Sequence, residues 1–260
     1  MLRSTEAETP VNQAERQVAI VTGAGSGIGR AIALAFAAEG YTVAIFERNR
    51  ESGAAVAASI SNGGGTASAH AVDVTNRAQV EAAVKEVIDR FERVNVLVNN
   101  AGMGFLGKVE ELKEEDWDHV MAVNVKSVFL CSKAVIPHMT ARGGGRIINV
   151  ASVAGLVASP GRAAYCASKG AVVMLTRAMA VDCAASKINV NSICPGVVVT
   201  AMTEESLRDP AVRQQKLDGT PLGRLAQPEE IAPAAVYLAG AGGSFVTGAA
   251  IVVDGGWSID

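Results

Sequence analysis

Gln17-Val-Ala-Ile-Val-Thr-Gly-Ala-Gly-Ser-Gly-Ile-Gly29 runs from an apolar, β-branched stretch directly into a glycine-rich turn. The apolar part predicts a strand over 17–21, and the alanine-rich segment after the turn predicts a helix over 27–39. A strand, a glycine turn and a helix in that order form a phosphate-binding arrangement. Glycines let the backbone approach a pyrophosphate, and the N-terminal end of a helix favours negative charge. Gly23, Gly27 and Gly29 are spaced G-x-x-x-G-x-G, unlike the commoner G-x-G-x-x-G. Ser26 and Ile28 complete the turn; Ser26 is uncharged and adds no phosphate contact of the kind a lysine or arginine would.

The same alternation continues through the chain. Short, nearly all-apolar runs at 42–46, 67–72, 94–98, 146–150, 188–193 and 250–253 read as further strands. Helices are expected at 50–61, 77–92, 116–140, 163–185 and 228–239, with Asn76 as a cap and Pro228-Glu-Glu as a helix opening. Strands this apolar are covered on both faces. The expected fold is α/β: a single-domain, doubly wound, Rossmann-type parallel sheet with helices on both faces, over 17–260. Residues 1–16 are polar, lack the apolar core of a signal peptide and read as a flexible tail. Segment 195–227 lacks a strand pattern and is rich in charged and turn residues; about 197–225 is expected to act as a lid.

Composition narrows the function. The chain has 260 residues, 49% of them hydrophobic, and a net charge of −3 with no basic stripe, which argues against nucleic acid as a partner. Cys131, Cys166, Cys183 and Cys194 show no C-x-x-C spacing and lie in apolar runs, as buried free thiols in a reducing compartment would. His70, His119 and His138 form no ligand pattern, so no metal is expected. No run approaches the ~20 apolar residues that span a bilayer. A cytoplasmic protein with no membrane attachment is the expectation.

Glu47 closes the second strand, where an acid can accept hydrogen bonds from both ribose hydroxyls of a dinucleotide and repel a 2′-phosphate. That favours NAD. Arg48 follows directly and could instead embrace a 2′-phosphate, which keeps NADP open. Asp73, with Val74 after it, ends the third strand; it could bond an adenine amino group or serve as a helix-entry residue.

Tyr165 and Lys169 stand at i and i+4, on one face of an expected helix. An ammonium beside a phenol favours the phenolate and draws its pKa down from about 10. Such a tyrosine can exchange a proton with an alcohol or carbonyl. With Thr22-Gly-x-x-x-Gly-x-Gly29, Asn99-Asn-Ala-Gly102, the strand-ending Ser152, Tyr165-x-x-x-Lys169 and Pro195-Gly-x-x-x-Thr200, the chain resembles the short-chain dehydrogenase/reductase family over 17–257. The resemblance implies that Tyr165 is the general acid/base, Ser152 clamps the substrate oxygen, and Lys169 lowers the tyrosine pKa and binds the nicotinamide ribose. It further implies that Asn124 holds a relay water. Asn100, Ala101 and Gly102 would line the cofactor, as would Pro195 and Gly196, while Val198 and Thr200 would contact the carboxamide. A homotetramer is implied too, with helices 116–140 and 163–185 pairing and the stretch 254–258 near another interface.

Substrate choice is expected to lie in 102–107, 153–162 and 200–225. Arg162, three residues before Tyr165, could face the substrate or cap a surface turn; Arg208, Arg213 and Lys216 add charge nearby. A guanidinium there would suit an anionic alcohol or ketone. Three readings result: an NAD-dependent dehydrogenase of a secondary alcohol, an NADPH-dependent 3-oxoacyl-thioester reductase, and a nucleotide-sensing binding protein.

Overall fold

The computed structural model describes residues 16–259; the expected tail therefore falls, but for Arg16, outside the described residues. Among the described residues, seven parallel strands form one sheet in the order β3-β2-β1-β4-β5-β6-β7. They are β1 (Val18–Thr22), β2 (Thr42–Glu47), β3 (Thr66–Ala71), β4 (Val96–Asn99), β5 (Gly145–Val150), β6 (Ile188–Pro195) and β7 (Ala250–Val253).

Alternate residues of the central strands feed cores on opposite faces of the sheet, which is why those strands read as unbroken apolar runs. Ala19 and Val21 of β1 pack with Ile32 and Phe36 of α1 (Gly27–Ala38), Val56 of α2 (Arg50–Asn62) and a late helix. Val18 and Ile20 face the other way. They meet Val80 and Val84 of α3 (Arg77–Phe91) and residues of two long helices described below. Asn49 and Asn76 cap α2 and α3, each accepting backbone N–H bonds through its side chain. A buried polar chain ties the second layer to the sheet: Asn99 Nδ2 donates to Asn149 Oδ1 at 2.8 Å, and Asn149 Nδ2 to Thr176 Oγ1 at 2.8 Å.

The order reverses beside β1, which pairs β2 on one side and β4 on the other. Loops leaving β1 and β4 therefore diverge at their carboxyl ends and open a crevice there.

Several elements differ from the sequence expectation. The helix expected at 116–140 is α4 (Glu114–Met121) continued by α5 (Ser127–Ala141) through a π turn, Ala122–Lys126. This continuous segment, Glu114–Ala141, is long and apolar enough to cross a membrane, contrary to the expectation. Here it lies against the sheet, with Cys131, Val135 and Met139 in the core. The helix α6 (Ala163–Cys183) runs beside it. The strandless segment folds into two short helices, α7 (Ala201–Leu207) and α8 (Pro210–Asp218). The last expected helix is a 3₁₀ turn, Pro228–Glu230, followed by α9 (Ala232–Ala239), because Pro233 has no N–H to continue a helix through it and fits only a first turn. All four cysteines are free; Cys131, Cys183 and Cys194 are buried, whereas Cys166 is only half-buried.

Candidate active site

Thr22 ends β1 and organises the glycine turn. Its hydroxyl accepts the backbone N–H groups of Asn100 and Ala101, both at 3.0 Å. Asn100 returns its side-chain amide to the carbonyls of Thr22 and Gly23 at 3.0 and 3.1 Å. The turns after β1 and β4 are thereby locked together. Gly23 has φ +62°, and a Cβ there would lie 2.8 Å from the Ala101 Cα. A Cβ on Gly29 would meet the Gly23 carbonyl oxygen at 2.3 Å. No larger residue fits either place without moving backbone.

The crevice above this turn holds about 470 Å³. Of the residues expected at a cofactor, Gly23, Ser26, Gly27, Ile28, Glu47, Arg48, Asp73, Val74, Asn100, Ala101, Gly102, Tyr165, Lys169, Pro195, Gly196, Val198 and Thr200 line it. Gly29 is the exception: it lies behind the wall, where its role is close packing against Gly23 and Asn100. Thr75, His119, Ala151 and Met202 also line the crevice and carry no sequence signal that would have singled them out.

Glu47 reaches over the turn. One carboxylate oxygen accepts the Gly25 N–H at 3.1 Å and the other the Asn49 N–H at 3.0 Å. Asp73 serves as a helix-entry residue, accepting both the N–H (2.9 Å) and the hydroxyl (2.7 Å) of Thr75 through one oxygen. The Thr75 bonds hold its carboxyl below the usual range, with lesser help from the Arg48 and His119 charges. Asp73 also lines the crevice.

Ser152, Tyr165 and Lys169 gather at the inner end. Ser152 follows β5; its oxygen accepts the Ala154 N–H at 3.1 Å, and its hydroxyl faces the Tyr165 phenol. Lys169 is buried, and its ammonium donates to the Val150 carbonyl at 2.9 Å. Burial pulls its pKa down to about 8. It lies 5.9 Å from the Tyr165 ring centre.

The expectation that Lys169 draws the Tyr165 pKa down is not what the geometry gives. Burial of Tyr165 pushes it up; the Ser152 hydroxyl and then the Arg162 guanidinium pull it back. Lys169 spends its charge on a carbonyl instead. Asn124 sits in the π turn, behind the crevice wall. Its Oδ1 accepts the Met103 N–H at 2.8 Å, and its Nδ2 donates to the Met103 carbonyl and to Ser168 Oγ, both at 3.0 Å. Ser168 in turn donates to the Tyr165 carbonyl at 2.8 Å. The side chain therefore braces the tyrosine's helix against the loop after β4. Among the described residues no cluster of three or more His, Cys, Asp or Glu could hold a metal ion.

A second cavity of about 560 Å³ adjoins the first, and Ser152 and Tyr165 line both. Its walls come from the three segments expected to set specificity: Phe105 and Leu106, then Val153 and Arg162, then Ser206 and Lys216. Arg208 and Arg213 do not reach it. Trp257, expected near a subunit interface, lines it too. Arg162 occupies the position just before α6, and its guanidinium carbon stands 5.8 Å from the Tyr165 ring centre.

The residues present fit a dinucleotide. A glycine cradle with no room for side chains meets the start of α1, an acid stands at the end of β2, and the crevice ends at Tyr165.

A family model described as enoyl-(acyl carrier protein) reductase matches residues 23–258. The chain is 43% identical to 2-(S)-hydroxypropyl-CoM dehydrogenase 3 of Xanthobacter autotrophicus over 249 residues, covering 94% of this chain and 98% of that one. It is also 43% identical to cyclopentanol dehydrogenase of a Comamonas species over 242 residues, covering 93% and 97%. Among solved structures, a gluconate 5-dehydrogenase from Burkholderia cenocepacia, in complex with NADP and tartrate, superposes with a TM-score of 0.91 at 38% identity, covering 94% and 96%. The sheet order, the crevice at its reversal and these likenesses agree: the chain belongs to the short-chain dehydrogenase/reductase family and is an oxidoreductase acting on CH–OH groups.

Proposed function

We propose that the chain is an NAD-linked oxidoreductase that interconverts a secondary alcohol and its ketone, with Tyr165 exchanging the proton. The observation that carries this is the position of Ser152 and Tyr165 on the shared wall of the two cavities. A substrate in one cavity and a dinucleotide in the other would meet at that wall, which Gly196, Met202 and Thr203 complete. A nicotinamide dinucleotide, when bound, supplies the hydride acceptor for oxidation and the donor for reduction.

The residues divide the rest of the work. Ser152, whose hydroxyl faces Tyr165, would donate a hydrogen bond to the substrate oxygen and fix it against the phenol. Tyr165 Oη takes the proton as an alcohol is oxidised and returns it as a ketone is reduced. With its pKa at about 8, Lys169 is still largely protonated at pH 7; held on the crevice wall by the Val150 carbonyl, it is proposed to bind the nicotinamide ribose. Asn124, with one Oδ1 lone pair left, is proposed to hold a relay water near Lys169. Segment 197–225 is proposed as a lid over a single domain spanning 17–260; Met202 and Thr203 line both cavities from it. No metal is proposed.

Glu47 supports NAD. Its carboxylate is fixed at the adenosine end, where it would meet a 2′-phosphate. Arg48, exposed beside it, supports NADP as the second reading, and with it a 3-oxoacyl-thioester reductase using NADPH. Glu47→Ala should move the kcat/KM ratio towards NADP by roughly tenfold, as expected for removing a solvent-screened repulsion on the order of 1 kcal/mol. A wild-type enzyme that already works better with NADP at low cofactor would contradict the assignment.

The chain is further proposed to be a cytoplasmic homotetramer with no nucleic-acid or membrane partner. Exposed apolar side chains on α5 and α6, Phe129, Met174 and Val181, support the pairing of those helices. Light scattering should give four times the chain mass; a monomer would count against the assembly.

A further inference from the structure

We infer that the second cavity holds an anionic group of the substrate, a carboxylate, sulfonate or phosphate, between Arg162 and Lys216. This rests on the proposed reading in which Ser152 and Tyr165 handle the alcohol oxygen.

The two cations reach the cavity from different elements. Arg162 is fixed just before α6, where the Gly107 N–H donates to the neighbouring Gly161 carbonyl at 2.8 Å and Gly107 bridges Arg162. Lys216 comes from the last turn of α8. Both are half-buried. They are close enough that burial and the Arg162 charge together hold the Lys216 ammonium below the usual lysine range. Two like charges facing one space are costly until an anion stands between them.

Two other cations of the same region are satisfied, and a third, Arg213, has no pair among the described residues but is exposed and outside the cavity. Arg208 pairs with Glu204 at 3.7 Å, and Arg224 makes a two-pronged pair with Glu230 at 2.7 and 2.8 Å. Among the described residues Arg162 and Lys216 have no such partner. One carboxylate, Glu205, also lines the cavity, but it is exposed and pairs with neither. The balance inside is one positive charge, with both cations set deeper than the acid.

The remaining wall is apolar, from Phe105, Leu106, Val153 and Trp257. With about 560 Å³ available, this suits a short carbon skeleton. Arg162 stands over the Tyr165 ring, so the anion would lie only a few bonds from the carbon that is oxidised. A planar guanidinium grips a carboxylate, sulfonate or phosphate by two parallel bonds, and the lysine adds a point charge.

The test is a set of matched secondary alcohols of equal length, one ending in a methyl group and the others in carboxylate, sulfonate or phosphate. Wild-type kcat/KM should favour at least one anionic member over the neutral one by roughly tenfold to hundredfold, the scale of hydrogen bonds to charged groups. The anion preferred identifies the class. Lys216→Gln should reduce the anionic-to-neutral ratio by about tenfold and Lys216→Arg should restore it; Arg162→Gln should reduce the ratio as well. Equal turnover of neutral and anionic members, or a Lys216→Gln variant that loses both alike, would overturn the inference. Calorimetric binding of the same compounds separates the two levels. If no alcohol is turned over, yet anionic members bind in a Lys216-dependent way, the reaction assignment fails and the anion pocket stands.

Discussion

Replacing Tyr165 with phenylalanine should lower alcohol turnover by about 10³-fold or more, while dinucleotide affinity stays near its wild-type value. The size follows from general acid–base catalysis, which contributes about 10²–10⁴-fold. The variant removes one oxygen and keeps the ring, so the packing of α6 and the Arg162 stacking remain. No neighbour can take over the proton. Ser152 is a poor base, and the Lys169 ammonium is tied to the Val150 carbonyl at 2.9 Å. Burial keeps the phenol protonated in the resting chain, ready to donate to a ketone. Accepting a proton instead requires the pull of Ser152 and Arg162. Steady-state kinetics with dinucleotide binding by fluorescence reads both quantities, and a phenylalanine variant of near-normal activity would refute the mechanism.

Gly29→Ala should be the most damaging single-methyl change in the chain. The added carbon would lie 2.3 Å from the Gly23 carbonyl oxygen and 2.4 Å from Asn100 Nδ2. Neither can step aside alone, because Asn100 Nδ2 donates to that same carbonyl. Overpacking a rigid site costs roughly 1–3 kcal/mol, more where backbone must move. For a domain of this size that corresponds to a melting point lower by roughly 2–12 °C. Since Gly23 forms the cradle, dinucleotide affinity should fall at least about tenfold with it. Gly63→Ala is the control: its added carbon meets nothing nearer than 3.5 Å. A Gly29→Ala protein that melts and binds like the wild type would show that the turn is looser than these contacts require.

Much of this architecture was readable from residues alone because parallel strands buried on both faces leave an unmistakable pattern. Each apolar run found its strand, and the reversal beside β1 put the glycine turn at the crevice mouth. Other features leave little trace. The helices α7 and α8 bury no residue, so they carry no apolar stripe. Their start signals were nevertheless present: Thr200 with Thr203 forms a capping box, and Asp209-Pro210 opens α8 with the Asp209 side chain accepting the Ala211 N–H. The π turn at Asn124 arises from tertiary bonds to Met103 and Ser168, which no local pattern encodes. Spacing placed Lys169 beside Tyr165 but could not reveal the Val150 carbonyl that competes for its charge. Trp257 reaches the second cavity from the far end of the chain, where only the folded sheet brings it near.

The central claim is the reaction itself, and the most direct measurement is a turnover assay of the purified chain with NAD and NADP across secondary alcohols and ketones, 3-oxoacyl thioesters included. The account predicts NAD-linked oxidation of a secondary alcohol that disappears in the Tyr165→Phe protein. Dinucleotide binding without turnover of any member, or faster NADPH-linked reduction of the thioesters than any NAD-linked alcohol oxidation, would contradict it.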